Sequence, residues 1–135
     1  MKRLLYLVLA AMLALSLTGC GRISSTIEIT CDTSKVYSTA DIHDAMDVVK
    51  NVFRRHFDGC TMTAIGYIGD EKQKMVKEYA LQYGVEEVIV LVSDFKTGRT
   101  GGDGSLTPDN TYRNYKWILL RDRNGSWSHA DHGYG

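Results

Sequence analysis

Two periods of apolar and polar positions run along this chain, and a stretch with no period precedes both. Residues 4–15 are apolar throughout and carry no charge, behind a short basic start holding Lys2 and Arg3. A bilayer-spanning helix needs about 20 such residues, so a run of this length reads as the core of an export signal. Ile27-Glu28-Ile29-Thr30-Cys31 then alternates, which predicts a brief edge strand. From Ser38 the period becomes helical. Ile42, Ala45, Met46, Val49, Phe53, His56 and Phe57 fall on one apolar face, which makes His56 a core histidine. Ser38 caps this helix with Asp41 three residues on, Tyr37 and Ile42 staple its entry, and Gly59 ends it.

Residues 61–68 predict a strand. Asp70 and Gln73 mark a second helix start, and Met75, Val76, Tyr79, Ala80 and Tyr83 form its apolar face up to Gly84. Residues 85–95 hold Val88-Ile89-Val90-Leu91-Val92, apolar on both faces and so a central strand. Residues 96–111 form a long glycine-rich loop containing Pro108, residues 112–121 another strand, and Asn124-Gly125 a two-residue hairpin turn into residues 126–134. The expected fold is a single α+β domain: two helices on one face of a curved, mainly antiparallel sheet of about four strands. Its last three strands form a meander, and residues 61–95 a β-α-β unit whose crossover is right-handed if its strands are parallel.

Charge narrows the partners. The chain balances 16 Lys and Arg against 16 Asp and Glu, and Lys2 and Arg3 leave with the leader, so the remainder is slightly acidic. No run of Lys or Arg forms a basic field along the sequence to attract nucleic acid or anionic lipid, and nucleic-acid binding is disfavoured.

The leader ends in Leu17-Thr18-Gly19-Cys20. This resembles the lipobox of bacterial lipoprotein precursors: an aliphatic residue, two small residues and a cysteine after a basic start and an apolar core. The resemblance implies that residues 1–19 are a signal peptide and that Cys20 becomes a diacylglyceryl-bearing N-terminus. Residues 20–36 would then be a lipidated start, a polar tether (21–26) and the edge strand, and residues 37–135 the domain. Two acyl chains, at about 0.8 kcal/mol per buried methylene, make such an anchor nearly permanent. The address is the outer face of the cell membrane.

Cys31 and Cys60 remain. Outside the cytoplasm they can form a disulfide or stay thiols; an intervening helix about 30 Å long opposes the bridge. No metal or cofactor motif is present.

In the predicted hairpin register, Tyr115, Trp117 and Leu119 lie opposite Tyr134, His132 and Ala130, all on one face. Tyr115, Trp117, His132 and Tyr134 are thus candidate ligand-binding residues, or core. The other face holds Ile118, Leu120, Trp127, His129 and Asp131. There His129 and Asp131 form a candidate base and orienter, with no G-x-S-x-G nucleophile to serve. His43, Asp47, Lys50 and Arg54 read as a solvated stripe. Asp103, Ser105 and Asp109 of the loop offer oxygens, but without EF-hand spacing.

Beyond Ser38, Phe57-Asp58-Gly59-Cys60, Trp117-Ile118-Leu119-Leu120-Arg121 and Trp127-Ser128-His129-Ala130-Asp131-His132-Gly133-Tyr134 resemble small lipoproteins of Gram-positive bacteria. That resemblance implies no particular activity. The closing meander is also similar to cystatin-like and nuclear-transport-factor-2-like cones, which serve enzymes and binders alike. The expectation is a membrane-anchored module that binds an envelope protein or a small ligand. An enzyme using His129 with Asp131, or His132, and a structural envelope protein are the alternatives.

Overall fold

A computed structural model describes residues 20–123 and 125–134. The expected export signal, the first three residues of the expected lipobox and Asn124 of the predicted turn lie outside the described residues. Five strands form one open sheet in the order β1 (Arg22–Cys31), β2 (Thr61–Tyr67), β3 (Glu87–Lys96), β4 (Thr111–Arg121) and β5 (Ser128–Gly133). β1 and β2 are parallel, and every other pairing is antiparallel. The α+β class and the mainly antiparallel sheet are as expected, with one strand more than anticipated. Each ladder contains a register shift, and such bulges bend a sheet.

Helix α1 (Thr39–His56) forms for the reasons the sequence predicts. Ser38 Oγ accepts from the Asp41 amide and Asp41 accepts from the Ser38 amide, completing the capping box. Ile42, Ala45, Met46, Val49 and Phe53 are buried against the sheet, where Ile65, Ile89, Leu91, Phe95, Trp117 and Leu119 meet them. Tyr37 is buried and donates its hydroxyl proton to the Val88 carbonyl. His56 departs from expectation. It closes the last turn on the exposed side, and the apolar face ends instead with Phe57.

The second helix is shorter than predicted. Asp70 does not cap it. Its carboxylate accepts from Ser34 Oγ (2.6 Å), the Lys35 amide (2.8 Å) and the Tyr67 hydroxyl, stapling the segment after β1 to the end of β2. A 3-10 turn (Asp70–Lys72) precedes α2 (Val76–Tyr83), which buries no residue completely. α2 rests on β3, and its Tyr79 borders a recess beside Lys116 and Ile118. Those two residues alternate with the α1-facing Tyr115, Trp117 and Leu119 along β4, so Tyr79 contacts the face turned away from α1.

The parallel β-α-β unit is β1-α1-β2, whereas β2 and β3 are antiparallel neighbours around α2. The ladder between them ends at Gly66 and Val92. Beyond it the Gln73 side chain takes the place of a strand: its amide donates to Val90 O and its oxygen accepts from Val90 N, both at 2.9 Å.

The polar segment 21–26, expected as a tether, is instead integral to the fold. The Gly21 amide donates to Arg54 O at 3.0 Å and the Arg22 amide to Cys60 O at 2.9 Å, so β1 begins at once. Cys31 pairs with Tyr67 at one end of the β1–β2 ladder, and Cys60 sits at the other. Both are free thiols. Among the described residues, no helix is long and apolar enough to cross a membrane.

Candidate functional site

The last hairpin brings the chemistry together, through a register the sequence does not reveal. β4 ends at Arg121 and β5 begins at Ser128, so the connection is longer than two residues. Gly125 N–H donates to Asp122 O, and Trp127 folds inward to donate from its indole to Asp41 O at 3.0 Å. Arg121 lies over the Trp127 ring, 4.2 Å from its centre, and pairs with Asp41 and Glu87.

Trp117 pairs with His132 and Ile118 with Asp131, as the predicted register requires. A bulge then intervenes, and Leu119 pairs with His129 rather than with Ala130. One extra residue reverses the side-chain phase, so His129 moves to the Trp117 face while Asp131 stays with Ile118. This removes the expected His129–Asp131 pair. His129 instead meets His132, with Nε2 of the former 3.0 Å from Nδ1 of the latter. The rings stack with centres 5.0 Å apart, against Trp117 at 5.6 Å and 5.1 Å. Among the described residues, neither imidazole has a carboxylate within ion-pair distance.

Burial holds both imidazoles below the usual histidine range, and for His129 the neighbouring His132 adds to the effect. The pair is therefore neutral near pH 7, with one nitrogen donating and the other accepting.

The four residues singled out on the hairpin divide between wall and core. Trp117 is fully buried and donates its indole proton to Ser93 Oγ at 2.8 Å. Tyr115 is nearly buried, with Phe57, Phe95 and Trp117 around it. Tyr134 is 61% exposed, its hydroxyl tied to the Arg113 backbone, and it borders the small recess beside Tyr79. His132 and Tyr115 line a different hollow of about 360 Å³, together with His56, Phe57, Asp103 and Leu106.

Three elements build this hollow. The end of α1 supplies His56 and Phe57, the β4–β5 hairpin Tyr115 and His132, and the glycine-rich loop the remaining wall. The loop is pinned by buried Thr97, whose hydroxyl donates to Thr107 O and accepts from the Asn110 amide. At Gly102 the chain takes a positive φ close to Cys60, a conformation that suits glycine. Asp103 accepts from the Ser105 amide, and Ser105 holds its carboxyl below the usual range, so it is ionised.

Cys60 lies beneath the loop, its thiol pushed up by burial and thus protonated rather than nucleophilic. Among the described residues, no group of three or more His, Cys, Asp or Glu side chains is placed to hold a metal ion. Sequence reasoning missed His56, Phe57 and the loop as walls. The only sequence signal for the close loop approach is the glycine cluster at 101, 102 and 104.

The chain matches no family model, no curated protein and no solved structure.

Proposed function

We propose that this protein is an exported lipoprotein, acylated at Cys20, whose domain binds a small ligand at the outer surface of the cell membrane. The observation that carries the binding role is the hollow between α1, the hairpin and the loop. Its volume of about 360 Å³ falls within the roughly 300–1,000 Å³ range of small-molecule sites. Phe57 and Tyr115 offer aromatic walls, ionised Asp103 offers acceptor oxygens, and the neutral imidazole of His132 offers a polar contact. That combination favours a ligand rich in donors, an amine or a polyol. A catalytic role for His129 with Asp131 lacks the contact it needs.

Cys20 is exposed, with only Gly21 between it and β1, which leaves it accessible to a lipid-transferring enzyme. Both parts are testable in one preparation. Cys20→Ser should abolish membrane retention or leave the precursor uncut, and normal processing with unchanged retention would refute the anchor. For the hollow, histidine and tyrosine resonances are followed during titration with ethanolamine and with glucose. Saturable shifts at His132 and Tyr115 are expected with one of them, and Leu106→Trp, which fills the hollow, should abolish them. Shifts identical in wild type and Leu106→Trp would remove the binding role.

A further inference from the structure

The chain enters the fold without slack at the residue proposed for acylation. Gly21 is buried, and a Cβ there would lie 2.2 Å from the Phe53 carbonyl oxygen, so this segment is packed against α1. At 3.3–3.6 Å per residue, Arg22 lies within about 7 Å of Cys20 along the chain.

The sheet and helix gather further cations to this end that are distant in sequence. Arg22 pairs with Thr61, and Thr61 with Lys96 on the next strand. Arg54 and Arg55 occupy the last turn of α1, beside the Gly21 amide. Arg99 follows Gly98, which packs against Gly59 at the end of the same helix. All five side chains are exposed, and among the described residues none of them takes part in an ion pair. Asp58 and Asp103 near Cys60, and Asp109, whose amide donates to Gly98 O, are carboxylates of the same region. At the opposite end, Asp32, Asp70, Glu71, Glu86 and Asp122 stand among Lys35, Lys72 and Arg123, so that end is mixed with a small acidic excess.

We propose that the end bearing Cys20, Arg22, Arg54, Arg55, Lys96 and Arg99 lies flat against anionic phospholipid head groups, so that the lipoprotein stands in one orientation on the bilayer. The proposal rests on acylation of Cys20, which brings these cations to the surface. Each Lys or Arg near an anionic membrane strengthens attachment by about fivefold, and the effect fades over roughly 8–10 Å at ordinary ionic strength. A flexible tether would let the domain swing beyond that range. Here the strand itself begins beside the lipid.

The test uses the acylated protein reconstituted into phosphatidylcholine vesicles with and without phosphatidylglycerol. An amine-acetylating reagent then competes for Lys96, at the proposed contact, and Lys72, beyond the far end of β2. Both are exposed in the isolated domain. On phosphatidylglycerol vesicles at low salt, Lys96 should be protected relative to Lys72 by about threefold or more. The protection should vanish with phosphatidylcholine alone and on adding salt. Equal acetylation on phosphatidylglycerol vesicles, with the Cys20 peptide carrying its acyl mass, would overturn the orientation while leaving the anchor intact. An unmodified Cys20 peptide in the same digest would bring down the anchor and the orientation with it.

Discussion

Replacing Trp117 by Phe isolates what holds the hairpin under α1. The indole is fully buried among Phe53, Phe57, Tyr115 and the two hairpin histidines, and its N–H donates to Ser93 Oγ at 2.8 Å. The substitution removes two ring carbons and the nitrogen. At about 0.8 kcal/mol per buried carbon, with the lost contacts around the void, the carbons account for about 2 kcal/mol. Ser93, itself buried, is left without its donor, which costs about 1–2 kcal/mol more. The expected loss of about 3–4 kcal/mol is a large share of the roughly 5–15 kcal/mol that holds a domain together. In urea, at a slope of roughly 1–3 kcal/mol per molar, the unfolding midpoint should fall by about 2 M. Adding Ser93→Ala separates the two contributions, because it removes the group left unsatisfied. The double variant should be no less stable than Trp117→Phe alone. A loss below about 1 kcal/mol in Trp117→Phe, or single costs that add in full, would refute the packing and hydrogen-bond account.

Two further outcomes follow from the same geometry. The His129 and His132 imidazoles are held below their ordinary value of 6.5 by burial, so the unfolded chain takes up protons first as pH falls. Their contribution to stability should be complete above about pH 6.5 and decline below it, and urea midpoints of His129→Gln should show a shallower decline. An unchanged slope in that variant would contradict the burial of His129. Gly21→Ala places a methyl 2.2 Å from the Phe53 carbonyl oxygen, and should lower stability by about 1–3 kcal/mol with accelerated exchange of the Arg22 amide. A neutral result would show that the first residues of β1 are loosely attached.

Legibility from sequence varied with the range of the interaction that decided each feature. α1 was readable because its cap and apolar stripe are local, with Ser38 and Asp41 doing in the fold what their spacing announced. The central position of β3 followed from its two-sided apolar core. Asp70 looked like a helix cap, yet its carboxylate is drawn to Ser34, Lys35 and Tyr67, partners that only the tertiary fold supplies. The same holds for residues 21–26. They are too polar to signal a strand, and become one because β2 and the end of α1 offer backbone partners. The site suffered most from one residue. Counting back from Asn124-Gly125 placed Trp117 opposite His132, but a bulge invisible in the composition carried His129 across the sheet to His132. The basic end was equally hidden, because residues 22, 54, 55, 96 and 99 form no run in the chain.

The Gln73 side chain, bonded to both polar groups of Val90, also bears on how this protein behaves in a crowd. Without it, the stretch of β3 left behind by β2 would present a free amide and carbonyl in a run of Val, Ile and Leu. Such a stretch is a template on which a foreign strand can grow. A single glutamine thus occupies the backbone pairing position beside Val90 that such a strand would need.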